Sequence, residues 1–376
     1  MAEPEHIVII DDNENDLRVT RSFLERRGYR IDHALSGEAG LELIARVRPD
    51  AVVVDYRMPG MNGFEVTQRL KHDPLLGTIP VLMLTGADSA EAIVQGLGAG
   101  ADDFVTKGAD REVLLARLRA LLRVKAYQDA LRKLNQQMSR DLQIARRVQE
   151  ALVPHGAYHS PRISIQSAYI PSETLSGDFY DYFEQDGLLY LFVADVAGHG
   201  LPAAILVSLL KSYLHTEADP SRSLADFMSG LNDFLFTVSI PSQYATAQLF
   251  RLDGQHNLHY SSAAHPPFLL FQHEHGRTGT FENPGNLLGA MPDLPYEEHV
   301  LRVSPGDTLF VYTDGLTDRK NADDEFYSID RVAAIMESSN DADLDTLYRA
   351  IYDDINAFPA TDEYRDDIAF VLSRFS

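Results

Sequence analysis

Two separate sets of aspartates in this 376-residue sequence have the types and spacing to hold divalent cations and handle phosphoryl groups. In the first third, Asp11 and Asp12 end HIVIIDD, Asp55 ends DAVVVD, Thr85 ends PVLMLT and Lys107 follows DDFVT. Close carboxylates repel one another and bind a hard cation such as Mg²⁺ through oxygen. With that charge neutralised, Asp55 can attack phosphorus and form an acyl phosphate. The Thr85 hydroxyl can then bond one phosphoryl oxygen, and the Lys107 ammonium can pair with another.

The second set lies beyond residue 155. Asp178 sits in SGDFYD, Asp195 ends LYLFVAD ahead of VAGHG, Asp314 ends TLFVYTD ahead of GLTD, and Asp366 opens DDIAFVL. Asp195 and Asp314 stand where a buried strand runs into a glycine-bearing turn, and Asp366 where a strand begins. Glycines 177, 198, 200 and 315 permit close backbone approach or positive φ there. Carboxylates without a His or Cys requirement suit Mg²⁺ or Mn²⁺ rather than zinc. Two such ions can share a water between them and clamp a phosphoryl oxygen, which is chemistry for in-line hydrolysis of a phosphoester without a covalent intermediate.

The elements that must position these residues read clearly. The apolar runs 6–11, 50–55, 80–85 and 102–106 alternate with helix-like stretches near 14–27, 37–47, 62–72, 88–98 and 110–123. Runs that are apolar on both faces, separated by amphipathic helices, predict a doubly wound α/β domain with a parallel sheet. Ligands in such sheets collect at the carboxyl edge, where the first set falls. From 155 onward, ISIQSAYIP, LLYLFVAD, QYATAQLF, NLHYSSAAH, FLLFQ, DTLFVYTD and IAFVLS read as strands, with helices over 201–215, 224–238, 328–338 and 343–357. That order predicts an α+β layered β-sandwich.

Between the two lies a stretch without glycine, closed by Pro154. Val124, Leu131, Met138, Ala145 and Leu152 recur every seven residues, Tyr127, Leu134 and Val148 fill a second seam, and Asp141 interrupts it. The pattern predicts a long helix joining the domains and pairing with a second copy as a parallel or antiparallel coiled coil, the alternative being a single helix packed on its own domain. The domain reading is 1–123, a helical linker 124–153, and 154–376.

Composition narrows the function classes. The chain has no Cys, which removes disulfides, thiolate metal sites and Cys nucleophiles. A formal net charge of −23 and the lack of a basic recognition helix argue against nucleic acid as a partner. No stretch approaches the ~20 apolar residues of a membrane span, and MAEPEHIVIIDD lacks the basic and apolar regions of a signal peptide. The expectation is a cytoplasmic protein that acts on neither membrane nor nucleic acid.

The pieces IIDDNEND, VVVDYRMPGMNG, MLTGADS and DDFVTK make residues 5–123 resemble a bacterial response-regulator receiver domain. The resemblance implies that Asp55 is the phosphoacceptor of a cognate histidine kinase. Asp11, Asp12, Asp55 and the Arg57 carbonyl would hold Mg²⁺, and Thr85 and Phe104 would be the switch residues beside Lys107. Gly108 stands where the family usually has proline.

The pieces IARRVQEALVP, SGDFYDYF, VADVAGHGLPAA, SAAHPPFLL, NLLGAM, SPGDTLFVYTDGLTD and RDDIAFVL resemble the SpoIIE-like branch of the PPM metal-dependent serine/threonine phosphatases over roughly 145–374. Under that resemblance, Asp195 bridges two Mn²⁺ or Mg²⁺ ions, the Val196 carbonyl assists, and Asp314 and Asp366 serve the second ion. Asp178 is a ligand or holds a metal-bound water, and Asp318 and Asp367 are lesser candidates for a third cation or the outer shell. Ser176 and Ala197 depart mildly from the family pattern. His199 is not assigned a catalytic role, and His265 is read as shaping a loop. The implied substrate is a phosphorylated anti-sigma-factor antagonist in a partner-switching pathway. The competing reading is a non-catalytic adaptor that binds a sigma factor or its regulator under receiver control.

Overall fold

A computed structural model describes residues 4–86, 98, 100–172, 174–198, 200–238, 243–282, 284–339, 341–359 and 366–376. The chain divides into two compact units, Met1–Met138 and Ser139–Ser376, each taken by itself below.

In the first unit, β1 (His6–Ile10), β2 (Arg30–Ala34), β3 (Ala51–Asp55), β4 (Val81–Thr85) and β5 (Asp103–Thr106) form a parallel sheet in the order β2-β1-β3-β4-β5. Helices α1 (Glu14–Glu25), α2 (Gly37–Val47) and α3 (Gly63–His72) complete alternating strand–helix units. Strands β1, β3 and β4 are buried at every position, which is why they read as unbroken apolar runs. The edge strand β2, RIDHA, alternates exposed and buried residues and carries three polar side chains, so it does not stand out among the apolar runs of the sequence. The helix expected over 88–98 falls outside the described residues except for Gly98.

The stretches expected as a helix over 110–123 and a linker after it are one 40-residue helix, α4 (Arg111–Glu150). Its first turns bury Leu114, Leu115, Leu118 and Leu122 against the first unit's core. Farther along, Val124, Tyr127, Leu131, Leu134, Met138, Ile144 and Val148 are all exposed. Leu152 does not continue this seam as the heptad count expected. The helix has ended by then, and Leu152 packs on the core of the second unit.

The second unit stacks two antiparallel sheets. One runs β14-β11-β10-β9-β8 and the other β13-β12-β15-β16-β7-β6. The first contains β8 (Asp178–Gln185), β9 (Leu188–Val196), β10 (Ala245–Leu252), β11 (Asn257–Ala263) and β14 (His299–Arg302). The second contains β6 (Tyr158–His159), β7 (Ile163–Ile170), β12 (Phe268–Gln272), β13 (Arg277–Phe281), β15 (Thr308–Tyr312) and β16 (Ile368–Phe375). A core of Phe179, Phe192, Phe268, Val311 and Val371, among others, fills the space between them. Helices α5 (Leu201–Glu217) and α6 (Leu224–Val238) pack on the first sheet's side of that core. Helices α7 (Ile329–Ser338) and α8 (Leu344–Ala357) cover the second sheet, with Val332, Leu347 and Ile351 against Phe310 and Phe370. This is the layered α+β sandwich expected. Strand β8, which opens with Asp178, was not among the strands read from sequence.

Candidate functional site

In the first unit the carboxyl edge of the sheet gathers the first aspartate set. Ligand oxygens of Asp11, Asp12 and Asp55 lie within 4.8 Å of one another, with Asp11 and Asp55 buried and Asp12 exposed. Lys107 Nζ donates to Asp11 Oδ2 at 2.9 Å and lies 3.0 Å from Asp55 Oδ1. Burial pushes the Asp55 carboxyl up, against the pull of Lys107. Burial also works against the Lys107 charge, but the bonds and charges of Asp11 and Asp55 outweigh it and raise its pKa. Thr85, almost wholly buried, ends β4, and its carbonyl accepts the Lys107 N–H at 2.6 Å. Phe104 is half-buried on β5, with the Arg117 guanidinium 5.8 Å from its ring centre. Arg57 is exposed just past β3 and lines a small cleft with Met58, Pro59 and Asn62. Gly108 has φ +114°, which the proline ring cannot adopt.

In the second unit Asp178 and Asp195 sit directly opposite each other on β8 and β9, so their side chains share one face. Thr246 of β10 flanks Asp195 on its other side. Asp314 follows β15 and opens a short 3₁₀ turn, while Asp366 and Asp367 lead into β16. Gly315 lets these two segments close: a Cβ there would run into the Asp367 carbonyl. Gly177 does the same beside Asp195, where a Cβ would strike the Val196 carbonyl.

The carboxylates feel one another. Asp195 is pushed up to about 7 by burial and then by the charges of Asp314, Asp366 and Asp367. Asp178 is fully buried and driven well up by burial and by Asp195, with Thr313 opposing. Burial and Asp366 raise Asp314, and burial raises Asp366. Among the described residues, no Lys, Arg or His forms an ion pair with any of these four. Asp178 is buried, Asp195 and Asp314 are half-buried and Asp366 is exposed; crowding carboxylates in this way is costly, and divalent cations are the partners their chemistry fits. No three of these carboxylates bring oxygens within 4.8 Å of one another, as Asp11, Asp12 and Asp55 do in the first unit.

Asp318 is exposed, and its charge bears on Asp314 and Asp366. Asp367 is committed elsewhere. Its Oδ1 accepts from Ser172 N–H at 2.7 Å and Oγ at 2.9 Å, and its Oδ2 accepts from Gly177 N–H at 3.0 Å. It therefore fixes the loop ahead of Asp178. His199 lies outside the described residues. His265 is buried and takes Thr246 Oγ1 at 2.8 Å on Nδ1, so it backs the strand beside Asp195. Two residues not singled out from sequence also serve the site. Gln149 of α4 bonds both backbone groups of Ser176, and the Thr313 hydroxyl meets Asp178.

The description Stage II sporulation protein E (SpoIIE) matches residues 185–376, and that of the response regulator receiver domain matches 7–119. The chain belongs to the SpoIIE family. Its SpoIIE domain is preceded by a receiver domain, and the curated relatives match through the latter. PleD of Caulobacter vibrioides is 40% identical over 127 residues, which is 34% of this chain and 28% of PleD. RpaA of Synechocystis is 42% identical over 117 residues, 31% of this chain and 48% of RpaA. The chain thus spans half or less of these relatives.

Among solved structures, the RsbU and RsbW domains of Rv1364c from Mycobacterium tuberculosis align at TM-score 0.50 and 25% identity, covering 59% of this chain and 61% of that one. The SiaA-PP2C domain of Pseudomonas aeruginosa aligns at TM-score 0.56 and 20% identity, covering 65% and 99%. The second likeness is one of fold. Among the described residues of this SpoIIE-family chain, no helix is long and apolar enough to cross a membrane.

Proposed function

We propose that the chain is a cytoplasmic response regulator whose SpoIIE domain is a metal-dependent phosphatase for phosphoserine and phosphothreonine proteins. The observation that carries this reading is the cluster of carboxylates around the paired Asp178 and Asp195, which raise one another's pKa and, among the described residues, have no Lys, Arg or His as an ion-pair partner. Asp178, Asp195, Asp314 and Asp366, with the Val196 carbonyl, would hold two Mn²⁺ or Mg²⁺ ions. When bound, the ions supply the positive charge that draws in a phosphate and activates water for attack on it. The protein keeps its own carboxylates spaced and oriented: Gly177 and Gly315 let the segments approach, and Asp367 and Thr313 fix the backbone and side chain around Asp178. Asp318, whose charge bears on Asp314 and Asp366, would be the candidate for an outer cation.

The receiver, taken as 1–123, would accept a phosphoryl group at Asp55 from a histidine kinase, with Asp11, Asp12 and the Arg57 carbonyl around Mg²⁺. The linker, 124–153, would carry that signal to the phosphatase domain, 154–376. Two observations support this control. Helix α4 has no break from Arg111 to Glu150, and a helix transmits rotation or register as a flexible linker does not. Its exposed apolar seam fits a second copy of the chain as a coiled coil. The substrate proposed is the phosphorylated anti-sigma-factor antagonist that the family resemblance implies.

Hydrolysis of p-nitrophenyl phosphate that requires Mn²⁺ and is lost in Asp195→Ala is the expected result; Mn²⁺-independent turnover, or none, overturns the enzyme reading. Beryllofluoride, a phosphoryl mimic, is expected to change turnover and mass. Equal values with and without it overturn receiver control and leave the phosphatase standing.

A further inference from the structure

Thr313 has no exposed surface and immediately precedes the Asp314-Gly315 turn. Its hydroxyl has a determined set of partners. The Ala369 N–H donates to Oγ1 at 2.9 Å. Oγ1 itself lies 2.6 Å from Asp178 Oδ2 and 3.3 Å from the Ala369 carbonyl. An amide N–H can only donate, so it takes a lone pair and leaves the single hydroxyl proton for one of two acceptors. The carboxylate is much the nearer, and once ionised, as a cation ligand must be, it accepts the stronger, charge-assisted bond. The main chain leaves the side chain little freedom, because Thr313 N–H also donates to the Ala369 carbonyl at 3.0 Å.

This bond joins the two sheets. Asp178 opens β8 in one, whereas Thr313 and Ala369 belong to the β15–β16 side of the other. Thr313 is also the chain neighbour of Asp314. One hydroxyl therefore sets the orientation of one carboxylate and, through the backbone, its spacing from another.

We propose that Thr313 is a positioning residue of the cation pocket, a strut between the sheets that occupies Asp178 Oδ2 and leaves Oδ1 for the pocket. The inference rests on the metal-dependent reading above. Outer partners of metal ligands commonly contribute about 10–100-fold to affinity or activity, and that is the loss expected for Thr313→Val, which keeps shape and removes the hydroxyl.

The test is Mn²⁺ binding to the full chain, without substrate, by calorimetry and by the resonance signal of free Mn²⁺. Wild type, Thr313→Val, Thr313→Ser and Asp195→Ala are compared. The expected result is weakened binding in Thr313→Val and recovery in Thr313→Ser. Turnover of Thr313→Val should climb back as Mn²⁺ is raised, so that the metal requirement shifts more than the limiting rate. If Thr313→Val does not fold, Thr313→Cys, similar in size but a weak donor, replaces it with the same expectation. Wild-type affinity in the Val or Cys variant at the Mn²⁺ sites that Asp195→Ala removes, those of the receiver being common to all four proteins, overturns this inference alone. Equal binding by wild type and Asp195→Ala overturns it together with the metal reading.

Discussion

Gln149 and Ser176 hold each other by a two-point clasp: Gln149 Nε2 donates to the Ser176 carbonyl at 2.6 Å, and the Ser176 N–H donates to Gln149 Oε1 at 3.1 Å. Gln149 lies one residue from the end of α4, and Ser176 lies two residues ahead of Asp178. Both partners are buried. The end of the long helix is thereby fastened to the backbone that delivers the first pocket carboxylate. Nearby bonds reinforce it: Tyr180 and Tyr182 hydroxyls of β8 donate to the Pro154 and Gly156 carbonyls at 3.2 Å.

Gln149→Ala leaves a buried N–H and a buried C=O without partners, which costs roughly 1–3 kcal/mol for each such group. The expected outcome is a lower melting temperature together with a raised Mn²⁺ requirement for p-nitrophenyl phosphate turnover. Thermal melts and a Mn²⁺ titration check both. A melting change with an unaltered Mn²⁺ requirement would show that the clasp serves only the fold.

Gly315→Ala sets a methyl against the Asp367 carbonyl, a backbone atom that cannot swing aside. Overpacking that forces the backbone to move typically costs about 1–3 kcal/mol, and the upper end is expected here. Gly254 is the control, since a Cβ there meets nothing within 4 Å, and Gly254→Ala should change stability by no more than about 1 kcal/mol. Urea unfolding of both variants tests the contrast. Comparable stability in the two would mean that the Asp314 and Asp366 segments do not approach as closely as described.

The contrast also bears on what the sequence makes legible. Strands β3, β4, β9 and β15 announce themselves because both faces are buried, and each delivers an aspartate or a threonine at its end. Asp195, Asp314 and Asp55 were readable for that reason. Strand β8 was not, because DFYDYFEQ mixes acids with aromatics and carries no aliphatic run. Its Asp181 is buried only because Lys211 and His215 of α5 pair with it at 3.0 and 2.7 Å. Gln149 and Thr313 were equally silent: a Gln on a polar helix and a Thr at a strand end are ordinary until the fold supplies Ser176 and Asp178. Asp367 was read through the family resemblance as a lesser candidate for a third cation or the outer shell; its three hydrogen bonds to Ser172 and Gly177 were not legible in the sequence.

Asp195→Asn separates stability from activity. In chelator, the substitution removes one charge from a crowded pocket and should raise the melting temperature by roughly 2–4 °C, the shift about 1 kcal/mol gives a domain of this size. With excess Mn²⁺ the order should reverse, because the wild type alone gains the stabilisation of bound metal. Turnover should be lost in both conditions. Melts with EDTA and with Mn²⁺ decide it, and an unchanged order in the two media would mean the pocket takes no cation through Asp195.

His265 makes a prediction about acid. Burial holds its pKa down to about 3, far below the usual value near 6.5. Between those values the unfolded chain binds a proton that the folded chain refuses, so His265 makes stability rise with pH across that window and fall as the solution is acidified below 6.5. From pH 7 to pH 5 its share of the loss is on the order of 2 kcal/mol. Carboxyls with raised pKa values, Asp178 and Asp195 among them, act in the opposite sense over part of the same range. The comparison that isolates the imidazole is therefore between wild type and His265→Asn, whose amide can still bond the Thr246 hydroxyl as donor or acceptor. The variant should be less stable at pH 7, because it loses ring packing, but should lose less on going to pH 5. Parallel pH profiles of unfolding free energy for the two proteins would show that His265 takes up its proton in the folded state and that the polar cluster behind Asp195 is open to water.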